Sequence, residues 1–115
     1  MKMHEMKLLK EPFEKIKEGS KTIEMRLFDE KRKGIAAGDE ITFVCEGQCL
    51  EKVRARVKDI YIYENFASLA ASFDARTLGF EGCDAEYISC YMLKIYGKER
   101  EKECGTCAIE LEIYP

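Results

Sequence analysis

The chain has no tryptophan, two prolines and one histidine among its 115 residues. Lacking any apolar run near the ~20 residues that span a bilayer, it offers no membrane-crossing helix. The N-terminus also lacks the charged-then-apolar pattern of a secretory signal, so a cytoplasmic location is expected. The lone His4 leaves no Ser/His/Asp set, and there is no P-loop, dinucleotide fingerprint or zinc-hydrolase motif. Repeats, linkers and low-complexity tracts are absent too. These absences lead to an expectation of one domain over residues 1–115, with no cofactor.

What is present is an ordinary globular composition, 46% hydrophobic and 36% charged, with a net charge of −3. That charge argues against a bulk, sequence-independent coat for nucleic acid. The distribution is uneven, however. Residues 1–33 carry ten Lys or Arg against seven Asp or Glu, a net of +3, which leaves −6 for the remainder. A locally basic face on an acidic domain suits a confined anionic ligand or a short stretch of RNA better than a long duplex.

Six cysteines stand at 45, 49, 83, 90, 104 and 107. Without a signal peptide, reduced thiols are the default. The Cys45-x3-Cys49 and Cys104-x2-Cys107 pairs imitate a four-thiolate zinc site. Both pairs fall in or beside strands rather than on knuckle turns, and Cys107 alternates with Ile109 and Leu111 as a core residue does. Free thiols and no metal are expected.

The most informative stretch is Gly19-Ser20-Lys21-Thr22-Ile23-Glu24-Met25-Arg26, of the form G-x-K-x-x-E-x-R. Read as a strand, it sends Ile23, Met25 and Leu27 to one face and Thr22, Glu24 and Arg26 to the other. Gly19 and Ser20 end the preceding helix, leaving Lys21 at the strand's mouth as a mobile charge at the rim. A cation, a carboxylate and a guanidinium gathered there can hold a polar, planar ligand: Glu24 accepts from an amine or base N–H, and Arg26 forks onto an oxygen or holds Glu24. The alternative is an exposed strand with an ordinary surface ion pair.

This pattern resembles the ASCH domain, a branch of the PUA-like superfamily marked by the same motif after its first helix. The resemblance covers nearly the whole chain. Met6–Leu9 and Glu11–Glu18 match its opening strand and helix, and Gly38-Asp39-Glu40-Ile41-Thr42-Phe43 its G-D-x-I-x-F turn and strand. Ile95-Tyr96 matches the end of its late helix, and Gly105 to Leu111 its final strand. The resemblance implies an α+β fold, a PUA-like mixed β-barrel of about five to six strands flanked by two to three helices. It also implies a cleft between sheet and helices holding Lys21, Glu24 and Arg26, for RNA or a nucleoside-type molecule.

One branch of the family hydrolyses N4-acetylcytidine. There a motif Lys acts as base for a Thr three residues later, supported by a Glu in the loop before the last helix. Those positions fall here on Lys21, Glu24 and Glu81, so the nucleophile position carries a carboxylate. Thr22 shares its face but lies one same-face step, about 6–7 Å, back. Two functions are therefore carried forward. One is a binding module for RNA or a modified nucleobase, with Lys21, Thr22, Glu24 and Arg26 as ligand residues and Tyr61 and Tyr63 stacking on a base. The other is an amidohydrolase using Lys21, Glu24 and Glu81. Phe66 is read as core.

Along the chain, Asp29–Gly34 is a solvated helical turn or a phosphate-facing rim. Glu40–Cys45 is a strand, and Glu46-Gly47-Gln48 a hairpin tip. The return strand from Leu50 to about Tyr63 carries Lys52, Arg54, Arg56 and Lys58 as a ladder of cations, either a solvated face or an RNA-backbone track. A helix follows Asn65, and another runs from about Asp84 to Tyr96. Ile88, Met92 and Ile95 supply the latter's apolar contacts. A charged connection then precedes a strand over Thr106–Ile113.

Overall fold

Strand alternation and glycine-ended helices divide the described residues into ten elements. In order these are β1 (Met3–Leu8), α1 (Lys10–Glu18), β2 (Ile23–Leu27), α2 (Glu30–Lys33), β3 (Glu40–Cys45) and β4 (Lys52–Tyr63). Next come α3 (Phe66–Ala71), α4 (Ala85–Tyr96), α5 (Lys98–Cys104) and β5 (Thr106–Ile113). The computed structural model describes residues 1–47 and 51–114. The expected hairpin residue Gln48, Cys49 and the strand start at Leu50 lie outside the described residues.

The five strands form one curled half-barrel sheet in the order β1-β3-β4-β5-β2. β1 runs parallel to β3, and the remaining pairs are antiparallel. The expected α+β, PUA-like architecture is what the chain adopts. No described helix is long and apolar enough to cross a membrane.

The core is split by the sheet. On one face, fully buried Phe13 and Ile16 of α1 pack with Met6, Ile41, Phe43, Val57, Cys107, Ile109 and Leu111. On the other, Ile23, Met25 and Leu27 of β2 meet Phe66 and Leu69 of α3 and Ile88 and Met92 of α4. Asn65 and Asp84 cap α3 and α4, accepting from the Ser68 and Tyr87 amides. Phe66 is core, as expected, and so is Cys107. Burial pushes the Cys107 thiol up to about 12, so it stays protonated and unreactive.

Two elements differ from expectation. The charged connection after Gly97 is a helix, α5, with no buried residue. Lys-Glu-Arg-Glu-Lys-Glu consists of good helix formers but carries no apolar stripe for periodicity to detect. At the other end of the chain, β1 begins at Met3 rather than Met6, and His4 on it is half-buried. The Asp39 carboxylate fixes this edge. It accepts from the Lys2 and Ala36 amides at 3.0 Å each and lies 2.9 Å from His4 Nε2.

The Lys2 amide, then the His4 ring, hold the Asp39 carboxyl at about 2, below its ordinary value of 3.8. A depressed folded-state value contributes stability that is complete above the unfolded value and lost as pH falls toward about 2. Asp39→Asn is expected to lower unfolding free energy by about 1–2 kcal/mol at neutral pH and to converge with the parent near the acid limit. Urea denaturation at several pH values checks this, and equal stability at neutral pH would contradict it.

The cation ladder on β4 is largely answered within the sheet. Arg54 forks onto Glu40 of β3 at 2.9 and 3.1 Å, and Arg56 meets Glu112 of β5 at 2.9 Å. A backbone-track reading is left with exposed Lys52 and Lys58.

Candidate functional site

β2 and β1 are the two edges of the sheet, and the half-barrel is open between them. Arg26 clasps this seam: its Nη2 donates to the Lys7 carbonyl on β1 at 3.1 Å. A cleft of about 650 Å³ runs along the seam, lined by Lys7 and Leu8 of β1, Glu24 and Arg26 of β2, the 78–83 loop and α4.

The register explains why β2 carries charge inside the protein. Met25 lies opposite Ala108, on the α4 side, whereas Glu24 and Arg26 lie opposite Ile109 and Cys107, on the α1 side. Both faces of the strand are therefore covered, and Glu24 is only 5% exposed. Its carboxylate is held at both ends, with Oε1 3.2 Å from Lys21 Nζ and Oε2 accepting from Arg26 Nε at 2.8 Å. Burial alone would push Glu24 up, but the Lys21 and Arg26 charges outweigh it and keep the carboxyl below its usual range. Burial likewise opposes the Arg26 charge, and the Glu24 carboxylate more than restores it.

Lys21 departs from the expectation of a mobile rim charge. The residue is 3% exposed, and its Nζ also donates to the Ile23 carbonyl at 2.9 Å and the Leu78 carbonyl at 3.0 Å. With Glu24 as the third acceptor, all three ammonium protons have partners. Local backbone sets this up. Gly19 ends α1 at φ 93°, and the Lys21 amide returns to the Lys15 carbonyl. The Thr77 carbonyl then takes the amides of both Thr22 and Ile23 at 3.0 Å. That contact lays the 74–82 loop over Lys21, and Lys15 Nζ pins it again at the Gly79 carbonyl, 2.9 Å away.

The other expected site residues are dispersed. Thr22 is half-buried and does not line the cleft. Glu81 lines it but is exposed, 3.5 Å from Arg76. Tyr61 and Tyr63 are not in the cleft at all. They pack against Phe73, Tyr61 tilted and Tyr63 edge-on, with ring centroids 5.6 and 6.1 Å away, and the Tyr61 hydroxyl donates to Glu110. Their even spacing on β4 places them on the outer side of the sheet, under α3.

The aromatic wall of the cleft comes instead from α4 and the loop before it: Phe80, Tyr87, Tyr91 and Tyr96. Phe80 and Tyr91 meet edge to face at 5.0 Å. Ile95, expected to face the core, is 57% exposed on this same stripe. The legible signal was Tyr87, Tyr91 and Ile95 at i, i+4 and i+8, on a helix whose core side was already satisfied by Ile88 and Met92.

A second hollow of about 730 Å³ lies beside Lys17, Glu40, Thr42, Lys52, Arg54 and Tyr114. Its Arg54 side chain is 62% exposed and that of Lys17 49%. The seam cleft, by contrast, holds a desolvated charge cluster beside aromatic rings, the combination expected of a binding site.

The comparisons with known proteins show the family and the fold. The chain belongs to the ASCH domain family, whose model matches residues 6–115, and it has the PUA-like half-barrel of that family. It is similar to the hypothetical protein PH0355, known from a crystal structure, at 37% identity and a TM-score of 0.86. The match covers 97% of this chain and 99% of that one. It is also similar to protein PF0455 from Pyrococcus furiosus, solved by solution NMR. Identity there is 36% and the TM-score 0.76, with 96% of each chain covered. No curated protein matches. Family membership points to RNA-related binding as the broad class of function.

Proposed function

We propose that the seam cleft binds a single nucleobase, as a nucleoside or within single-stranded RNA. The observation that carries this reading is the ionised Glu24 carboxylate facing the cleft, with one cation on each oxygen. Each oxygen keeps a second lone pair, so the carboxylate can accept two parallel N–H bonds from a base edge. Arg26 spends Nε on Glu24 and one Nη2 proton on Lys7. Its remaining protons can donate to a carbonyl or ring nitrogen beside that edge. Tyr91 and Tyr87 supply faces on which the base can stack. Lys21 is a positioning residue in this reading: it holds Glu24 and the loop, and Thr22 acts only through its backbone.

The amidohydrolase alternative asks for a base and a nucleophile. Lys21 has all three protons engaged, Glu81 faces Arg76, and Glu24 is locked between two cations. A water activated by Glu24 is the one hydrolytic route compatible with these contacts. Release of cytidine from N4-acetylcytidine, lost in Glu24→Ala, would favour it over simple binding.

Fluorescence anisotropy with short single-stranded RNA across a salt series, alongside titration with the free nucleosides, tests the binding reading. Binding of at least one should occur, with a salt slope equivalent to about one to three counterions because few cations of the seam lack an acidic neighbour. Tyr91→Ala should weaken it by about tenfold. Absence of binding to every nucleoside and RNA at millimolar concentration would contradict the proposal.

A further inference from the structure

β4 outruns its neighbour β3. Residues 52–56 pair with β3, and backbone bonds tie Val57 to Gly38 and Asp39, where the chain turns away. From Asp59 to Tyr63 the described ladder pairs β4 with β5 alone. The Ile60 amide donates to the Asp59 carboxylate at 2.8 Å. The amides of Ile60 and, by alternation, Ile62 therefore face the open edge. Ile62 is 60% exposed there, and Tyr61 37%. An open strand edge bearing apolar side chains is a template for pairing with another strand.

We propose that this edge pairs antiparallel with the same segment of a second copy of the chain, about a two-fold axis at Tyr61. The occupant is indicated by the segment's own symmetry, Lys58-Asp59-Ile60-Tyr61-Ile62-Tyr63-Glu64. Pairing centred on Tyr61 sets Lys58 against Glu64 at both ends, Ile60 against Ile62, and Tyr61 against itself. It also makes Ile60 and Ile62, whose amides face the edge, the hydrogen-bonded pair, as the edge requires. Registers displaced by two residues set Lys58 against Ile62 or Ile60 against Glu64, and lose both ion pairs. The Asp59 carboxylate covers the Ile60 amide in the free chain and is displaced on association. An isologous contact of this kind closes as a dimer with one continuous sheet.

Sedimentation equilibrium from micromolar to millimolar concentration tests this. A dimer is expected, weakened at least about tenfold by Lys58→Glu or Glu64→Lys alone and restored in the double exchange. Hydrogen exchange at the Ile60 and Ile62 amides should slow in the concentrated sample. None of these substitutions touches Lys21, Glu24 or Arg26, so RNA or nucleoside binding should persist in all of them. A chain monomeric at millimolar concentration would overturn the proposal, leaving the edge to a strand of some other protein. So would a dimer indifferent to charge reversal or with Ile62 unprotected.

Discussion

Glu24→Ala is expected to lower the unfolding free energy by about 3–5 kcal/mol, because it strands two cations in a desolvated seam. Lys21 and Arg26 have side chains only 4% and 15% exposed, and both point at the same carboxylate. Removing the anion leaves their mutual repulsion with nothing between them. Lys21→Met should cost less than Glu24→Ala, since Arg26 still neutralises Glu24. Joining the two substitutions should cost less than their sum. The pH dependence follows from Glu24 lying below its usual range. Its contribution is complete above the unfolded carboxylate value and is lost as pH falls through the lower folded one. Glu24→Gln should therefore flatten the acid side of the stability profile. A Glu24→Ala protein within about 1 kcal/mol of the parent in chemical denaturation would contradict this account of the cluster.

Gly79→Ala should be nearly as damaging, although it adds a single methyl group. Gly79 has φ +87°, and a Cβ there would lie 2.9 Å from Lys21 Cδ and 3.5 Å from Cγ. The Lys21 stem cannot swing aside, because its ammonium is tied to Glu24, Ile23 and Leu78. Left-handed backbone strain and overpacking together give an expected loss of about 2–4 kcal/mol. Gly82→Ala supplies the control. It has a similar φ of +84° but nothing within 4 Å of the added carbon, so it should cost about 1 kcal/mol and leave ligand binding intact. Thermal or urea unfolding of the two variants decides the matter. Equal losses would mean that contact with Lys21 contributes nothing.

Much of this fold could be read from local pattern. β3 and β5 begin and end where alternation places them, and the Asn65 and Asp84 caps mark α3 and α4. The site was legible in its members but not in its environment. Lys21, Glu24 and Arg26 converge as their spacing suggests. Yet the burial of Lys21 depends on a loop more than fifty residues away folding over it, which no local window contains. Tyr61 and Tyr63 misled for a related reason. Strand alternation says that they share a face, but not that α3 and Phe73 occupy that face. On α4 the apolar spacing marked Ile88, Met92 and Ile95 alike as core contacts, and only the first two are buried, since the sequence does not say which side of a helix meets a cleft.

The most direct measurement follows the Glu24 carboxyl carbon and the Arg26 Nε–H by NMR during nucleoside or RNA titration, with the Glu40–Arg54 pair of the other hollow as internal reference. Glu24 and Arg26 should shift together and saturably while Glu40 and Arg54 stay in place. A ligand that binds while Glu24 and Arg26 remain unmoved would contradict the assignment of the seam as the binding site.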